Sequence, residues 1–564
     1  MKKILAAAVL AFAFVAAHSQ ERVVERTYIS TDKDVYVAGE TLWCSAFCLD
    51  VNHGCTPSQV SSVAYLELHS ADGVPCVWKV ALCDGRGAGS VVLPASLPTG
   101  NYRLIAYTAQ NKNEEGYDWQ GIASKTISVY NAFTSERVKD GVKVVGAAEY
   151  ESLRNSTAAP SASEGIEIMV DGDSIVIANK LSSAVTLSVS VSHDDGFAAN
   201  GNPSIADFAA AAAGVGDRKM NWNVVPDYEG EVIRARVAGY SEDMVPEFSG
   251  KYAFISTPSD KSDVYTANIN DKGEALFFTN NIYGDKEFIC EIENMDPSLN
   301  CHLELVPPFV KPDVPAPAPL AICSSLSDAL TARAAAMQIE KKFASDTLKE
   351  RLPYWENPLF ADDVIRYVLD DYTRFPVMEE LFIEFIQEIK ARRGDDGRRD
   401  IRVRISDFNA GYYYSSGSSL MMLDGVPVLD QEKIFEYDPL LVESINIYPH
   451  LHYVGARQFE GIVNFVTYKR NLPSFKFSNN ARVIDFQGVS WPEAYTAATL
   501  APGGGSYPDY RQTIYWHPLV SVGAGGTSGF RCVRPDYKGR FRITVEGLAA
   551  DGSPVSASAW IENL

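Results

Sequence analysis

Positive charge is what this 564-residue sequence is short of: 50 Lys and Arg stand against 72 Asp and Glu, a formal net charge of −22 at pH 7. The long-range field of such a chain repels polyanions, so no nucleic-acid partner is expected. Histidine is scarce, at eight residues, and the paired CxxC spacing of a zinc site is missing. No Gly-x-Ser-x-Gly nucleophile motif occurs, which removes one common hydrolase arrangement. After the first twenty residues no apolar run approaches the roughly 20 residues that a membrane-spanning helix needs. What is present is ordinary globular composition, 46% hydrophobic and 22% charged. At about 100–200 residues per domain, the length implies about three to five domains.

The address is written at the start. Met1–Lys3 is basic, Ile4–Ala17 is almost unbroken apolar sequence, and Ala17-His18-Ser19 sets small residues three and one before Gln20. This pattern predicts a secretory signal peptide over residues 1–19, cleaved ahead of Gln20. No Cys follows the apolar run, so the lipoprotein route is not expected. Nine cysteines therefore face a compartment where disulfides can persist, and five of them crowd between Cys44 and Cys83. Buried thiols or one or two local disulfides are expected there rather than a metal. Cys290 and Cys301 flank an Asn-Met-Asp-Pro segment that suits a hairpin bridge, with the connectivity open.

Short alternating runs separated by Gly, Pro, Asn and Asp predict strands at Val35–Val37, Leu42–Leu49, Val63–His69, Cys76–Leu82, Ser90–Leu93, Tyr102–Tyr107 and Lys125–Val129. Seven such runs in about 100 residues predict an antiparallel β-sandwich over 25–131. A small, polar linker at Ser152–Ser163 precedes a β-rich domain over 164–222, whose Ala-rich interval at Ala209–Ala213 has no assignment. A β-sandwich is expected over 223–306, then a Pro-rich extended linker over 307–323. Helical periodicity at Ser327–Leu352 and Val377–Arg393 predicts a helical segment over 324–398, with Leu381, Phe382, Phe385 and Ile389 on one face. Strands return over 399–472, and residues 505–564 are expected to form a C-terminal β-sandwich.

The search for chemistry is largely negative. His450-x-His452 is a close pair without a visible third ligand. His193-Asp194-Asp195 lies at a strand end with no nucleophile motif beside it. Asp370-Asp371 and Glu379-Glu380 are adjacent carboxylates, which on a helix point about 100° apart and so form a solvated face. Gly503-Gly504-Gly505 reads as a hinge, since Ser506-Tyr507-Pro508 cannot open a helix with free amides. No catalytic residue, metal site or cofactor is expected.

Two runs carry resemblances. Leu420-Met421-Met422-Leu423-Asp424-Gly425-Val426-Pro427-Val428, then Asp438-Pro439, Leu441–Tyr448, Gly455-Ala456-Arg457 and Phe459-Glu460-Gly461-Ile462-Val463, resemble in order the plug domain of TonB-dependent outer-membrane receptors. Only 94 residues follow Arg470 (564 − 470), too few for a surrounding barrel of about 22 strands at roughly 10 residues each. The resemblance therefore implies a plug-like α+β domain detached from transport. Tyr28–Trp43, with its Thr31-Asp32-Lys33 and Gly39-Glu40, and Leu97–Tyr102 resemble a macroglobulin domain of bacterial α2-macroglobulin-type proteins. The Cys-Gly-Glu-Gln thioester is absent. In their order the modules are similar to uncharacterised envelope proteins of Gram-negative bacteria.

The expected fold is mainly β and multidomain: macroglobulin or Ig-like β-sandwiches, a short helical segment, a plug-like α+β domain and a C-terminal β-sandwich. The expected function is non-catalytic binding or scaffolding in the envelope, accessory to an outer-membrane transporter or assembly complex. Its partner would be an envelope protein such as an outer-membrane barrel, with no transmembrane segment in the mature chain. A macroglobulin-like protease inhibitor or adhesin is the alternative, and a glycan- or peptide-acting enzyme a minor third. Location would be the periplasm or outer membrane, the cell surface included. Asp424, Gly425, Val426, Pro427, Gly455, Arg457 and Phe459 are the expected partner-binding residues, because the plug resemblance rests on them.

Overall fold

In a computed structural model, the chain is described over residues 23–119, 124–156, 165–198, 200–241, 244–259, 263–296, 299–343, 349–354, 364–394, 397–407, 411–416, 419–496, 509–533 and 535–562. The proposed signal peptide and the Gly503–Gly505 run lie outside these. Two compact units divide the chain, one from residues 1–228, 309–354 and 489–564, the other from 229–308 and 355–488. The protein is mainly β and multidomain, as its alternating pattern predicts.

In the first unit all seven expected runs are strands. They join a nine-stranded sheet in the order Glu25–Thr31, Thr41–Asp50, Arg86–Val92, Gly73–Cys83, Val63–Ser70, Gly100–Thr108, Lys125–Tyr130, Val35–Val37, with Thr56–Pro57 beside the second of these. Pairing is antiparallel except for Val35–Val37, which runs parallel to Lys125–Tyr130. Alternate positions such as Leu42, Cys44, Ala46 and Cys48 point inward onto Leu66, Trp78 and Tyr102. This follows from the two-residue period of a strand.

The rest of that unit is assembled from distant segments. Val185–His193 pairs on one side with Thr513–Val522 and on the other with Phe541–Ala549. Ser174–Asn179 pairs with Thr527–Arg531. Segments that read separately as 164–222 and 505–564 thus share sheets and one core around Val189, Ile514 and Ile543. The unassigned Ala-rich interval is the helix Ile205–Ala212. The Asp207 carboxylate accepts from the Ser204 amide (3.0 Å), and Ser204 Oγ accepts from the Asp207 amide (3.2 Å). That reciprocal capping starts the helix, and alanine's high helix propensity carries it on. Ile205 and Phe208 then pack on Tyr28 and Leu548.

Two local expectations change. Phe309–Pro319 is extended but is no free spacer. The Val310 amide donates to Tyr107 Oη (2.9 Å), the Lys311 amide donates to Glu67 Oε1 (3.0 Å), and Asn101 and Arg103 donate to the Ala318 and Pro315 carbonyls. The predicted helix over Ser327–Leu352 is observed as Ser327–Phe343, and Lys349–Arg351 is a strand.

The second unit holds a sandwich and a mixed α+β region. Val232–Ala238 lies between Glu274–Phe278 and His302–Leu305, facing a sheet of Val264–Asn268, Tyr252–Ser256, Asp285–Ile292 and Arg482–Gln487. The α+β region has a five-stranded sheet, in the order Ile365–Val368, Val442–Val454, Arg457–Thr467, Leu420–Leu423, Val426–Pro427. Beside it stands a three-stranded sheet of Ile389–Arg393, Arg399–Asp407 and Gly411–Tyr414. The helix expected over Val377–Arg393 stops at Glu384, and Ile389–Arg393 is a strand. Ile389 pairs with Val403 and Ala391 with Ile401. The spacing of Leu381, Phe382, Phe385 and Ile389 fits a helix equally well, and only the partner strand makes the two-residue period the stable one.

All nine cysteines are free thiols. The bridge expected between Cys290 and Cys301 is not formed; both side chains are buried in one apolar cluster with Phe288 and Leu303. No helix among the described residues is long and apolar enough to cross a membrane.

Candidate binding surface

The residues singled out by sequence separate into two groups. Asp424 and Gly425 form the tip of the Leu420–Pro427 hairpin, at φ 49° and 85°, and Leu423 pairs with Val426 across it. Positive φ at both central positions is what a type I′ turn demands, and Asp and Gly tolerate it best. The turn is buried: Asp424, Gly425, Val426 and Pro427 all face inward. The Asp424 carboxylate accepts from the Thr467 amide (2.6 Å), Thr467 Oγ1 (2.7 Å) and the Leu472 amide (2.8 Å). The Gly425 amide donates to Asn464 Oδ1 (3.0 Å). These bonds tie the hairpin to the Arg457–Thr467 strand and the segment after it.

The second group is the hairpin between Val442–Val454 and Arg457–Thr467. Gly455 is exposed at its tip with φ 58°, and a Cβ there would stand 2.7 Å from the Thr266 carbonyl oxygen. Arg457 is half-buried in an ion pair with Glu293, its guanidinium over the rings of Tyr252 (5.0 Å), Phe254 (5.6 Å) and Phe459 (5.0 Å). Burial in that cage lowers its pKa. Phe459 shares a buried cluster with Met422 and Phe254. Most of the seven residues are therefore committed to internal contacts.

Several of the acidic groups noted in the sequence are likewise engaged by other side chains. Asp195 accepts from Arg333 (2.5 Å), which also binds Glu40 (2.9 Å), and Asp194 pairs with Arg154 (3.2 Å). Glu379 meets Arg399 (3.3 Å), and Asp370 accepts from Tyr468 Oη (2.7 Å). His450 Nδ1 lies 3.1 Å from the Ser406 carbonyl oxygen, and burial lowers the pKa of His452. Among the described residues no group of three or more His, Cys, Asp or Glu is placed to hold a metal. A pocket of about 120 Å³ in the first unit has Trp43, Tyr495, Lys349 and Glu340 among its lining. That is below the roughly 300–1,000 Å³ of ordinary ligand sites.

A different surface stands out in the second unit. Residues 389–404 hold seven Lys and Arg against three Asp, a local charge of 7 − 3 = +4 in a chain of −22. Ile389, Ile401, Val403 and Ile405 turn into the core. Strand alternation therefore presents Lys390, Arg402 and Arg404 on the outer face, with Tyr412 and Tyr414 from the edge strand. Arg404 sits 4.4 Å from the Tyr412 ring centroid and Lys390 4.1 Å from that of Tyr414. Arg402 is paired with Asp400 (2.6 Å). Among the described residues no carboxylate pairs with Arg404, and Tyr412 is 69% exposed. At one end of this face opens a cavity of about 430 Å³, lined by Ile365, Glu388, Arg404, Ser406, Tyr412 and His450 among others. Sequence reasoning passed over the cluster because it placed Lys390, Arg392 and Arg393 at the end of a helix and Arg399, Arg402 and Arg404 in a separate strand region, so the two sets were never brought onto one face. The run of basic residues was the available signal.

No protein-family model matches the sequence, and no curated protein matches it. Among solved structures, native Escherichia coli α-2-macroglobulin aligns over 96% of this chain and 40% of its own, at 8% identity and TM-score 0.24. Salmonella α-2-macroglobulin reacted with methylamine aligns over 97% and 40%, at 8% and 0.24. The Yersinia pseudotuberculosis adhesin InvE aligns over 51% and 61%, at 11% and 0.14. The chain thus spans about 40% of the length of the macroglobulins it is similar to, and TM-scores of this size do not define a shared fold.

Proposed function

We propose that this chain is an exported, non-catalytic binding or scaffold protein of the cell envelope, and that it binds through the outer face of the Ile389–Arg393, Arg399–Asp407 and Gly411–Tyr414 strands. The observation that carries this is the basic, tyrosine-bearing face beside a cavity, in a protein otherwise strongly acidic. Packed strands hold cations and rings in fixed positions at little further entropic cost, as rigid recognition surfaces require. The Asp424-Gly425 turn serves strand register in this reading. The plug resemblance makes an outer-membrane barrel the proposed neighbour, with a thioester-free inhibitor or adhesin as the alternative that the macroglobulin-type opening supports.

The test is co-sedimentation of the full mature chain with outer-membrane vesicles and with purified cell-wall sacculi. Wild type should sediment in a salt-sensitive manner, and the double variant Lys390→Glu, Arg404→Glu should remain in solution with an unchanged melting temperature. Equal sedimentation of the two proteins would refute the assignment of binding to this face.

A further inference from the structure

Resting on that reading, we infer that the cavity beside Arg404 and Tyr412 takes an acidic saccharide, a sugar ring bearing a carboxylate. The Arg404 guanidinium is a planar fork that matches a carboxylate in two parallel hydrogen bonds, and no protein carboxylate among the described residues occupies it. Tyr412 has one side against that guanidinium and is otherwise open. It offers a flat, amphipathic surface to the C–H face of a sugar. The remaining polar lining suits hydroxyl groups. Glu388 Oε2 already accepts from Tyr367 Oη (2.6 Å), which leaves Oε1 as an acceptor, and Ser406 Oγ can donate or accept. The His450 ring, also in the lining, is held in place by its Nδ1 contact with the Ser406 carbonyl oxygen (3.1 Å). About 430 Å³ is within the range of small-ligand sites.

Charge complementarity selects the acidic ligand. The chain as a whole repels anions, but at physiological ionic strength screening acts over about 8 Å, so a ligand in the cavity senses chiefly the local charges, Arg404 and Lys390 set against the single lining carboxylate of Glu388, which faces hydroxyl groups while the ligand carboxylate meets Arg404. Lys390, on the same outer face, adds attraction for a neighbouring residue of an extended acidic glycan. An acidic peptide would use the same cations but would gain little from the ring face and the hydroxyl-binding acceptors.

The test is calorimetric titration of the full mature chain with three probes: an oligogalacturonate, a neutral glucose oligomer of the same length, and poly-glutamate. Oligogalacturonate should bind best. Arg404→Gln should weaken it roughly tenfold, as the loss of a charge-assisted bidentate contact implies. Arg404→Lys, which keeps the charge and loses the fork, should fall between, and Tyr412→Ala should weaken binding with no change in melting temperature. Poly-glutamate binding as tight as oligogalacturonate, or equal binding of the neutral oligomer, would overturn the saccharide assignment. So would the absence of binding by every probe. If envelope sedimentation then still depended on Lys390 and Arg404, the binding-face reading would stand without its saccharide; if it did not, both would fall.

Discussion

Replacing Asp424 by Ala is the perturbation whose cost can be worked most directly from the structure. The side chain is 4% exposed and its two oxygens accept three hydrogen bonds, from the Thr467 amide, Thr467 Oγ1 and the Leu472 amide. Alanine removes the acceptor and leaves two backbone donors and a hydroxyl buried. Each unsatisfied group costs about 1–3 kcal/mol, and Ala tolerates the left-handed backbone at φ 49° less well than Asp. With partial relaxation the loss should be roughly 3–6 kcal/mol. At about 2–4 °C per kcal/mol for a body of this size, the transition of the second unit should fall by about 6–24 °C. Asp424→Asn keeps one acceptor oxygen and the tolerance for positive φ, so it should lose about half as much. Scanning calorimetry measures the total, and hydrogen exchange read by mass spectrometry localises it. Peptides covering 424–427 and 464–472 should exchange faster, while the strands of 25–131 keep their protection. An Asp424→Ala protein melting within about 2 °C of wild type, with those peptides still protected, would refute the view of this carboxylate as the tie between hairpin and sheet.

Two further outcomes follow from the burial of ionisable groups. Burial alone would raise the Glu40 carboxyl, but Arg333 and Lys33 beside it reverse this and hold it below its ordinary 4.5. A lowered carboxyl contributes stability that is complete above its unfolded-state value and lost as pH falls through the folded one. Arg333→Met should therefore cost about 3–5 kcal/mol at neutral pH, a deficit that narrows as acid protonates Glu40, first in the variant and then in wild type; a deficit independent of pH would contradict the ion-pair account. Cys83 is the exposed cysteine, whereas burial pushes the thiols of Cys44, Cys290 and Cys532 up to about 12 and that of Cys76 to about 11. Hydrogen bonds from Ser325 lower the Cys323 thiol, but its burial keeps reagent away, so Ellman's reagent at about pH 8 should label one thiol rapidly in the native chain, lost in Cys83→Ser, and nine after denaturation. Fast labelling that survives Cys83→Ser would show that another thiol is open.

What the sequence by itself determined was local. The alternation between Val35 and Val129 was enough for every one of the expected strands, because a two-residue apolar period has one way to bury its side chains. Asp424-Gly425 was legible as a tight turn because few residue pairs accept positive φ at both positions. The tertiary structure decided whatever depends on a distant partner. Val185–His193 takes its neighbours from more than 300 residues away in Thr513–Val522 and Phe541–Ala549, and no local pattern encodes which strands will pair. Leu381 to Ile389 satisfied a helical period until Arg399–Asp407 supplied a ladder of hydrogen bonds to Ile389–Arg393. That same pairing brought scattered basic residues onto one face, and the pairing of Arg399–Asp407 with Gly411–Tyr414 on its other side set Arg404 over Tyr412. Cys290 and Cys301 stayed free thiols inside an apolar core whose packing only the folded sheets define. The proposed binding surface belongs to this second class: its charges are in the sequence, but their alignment with aromatic rings and a cavity exists only once three strands lie side by side.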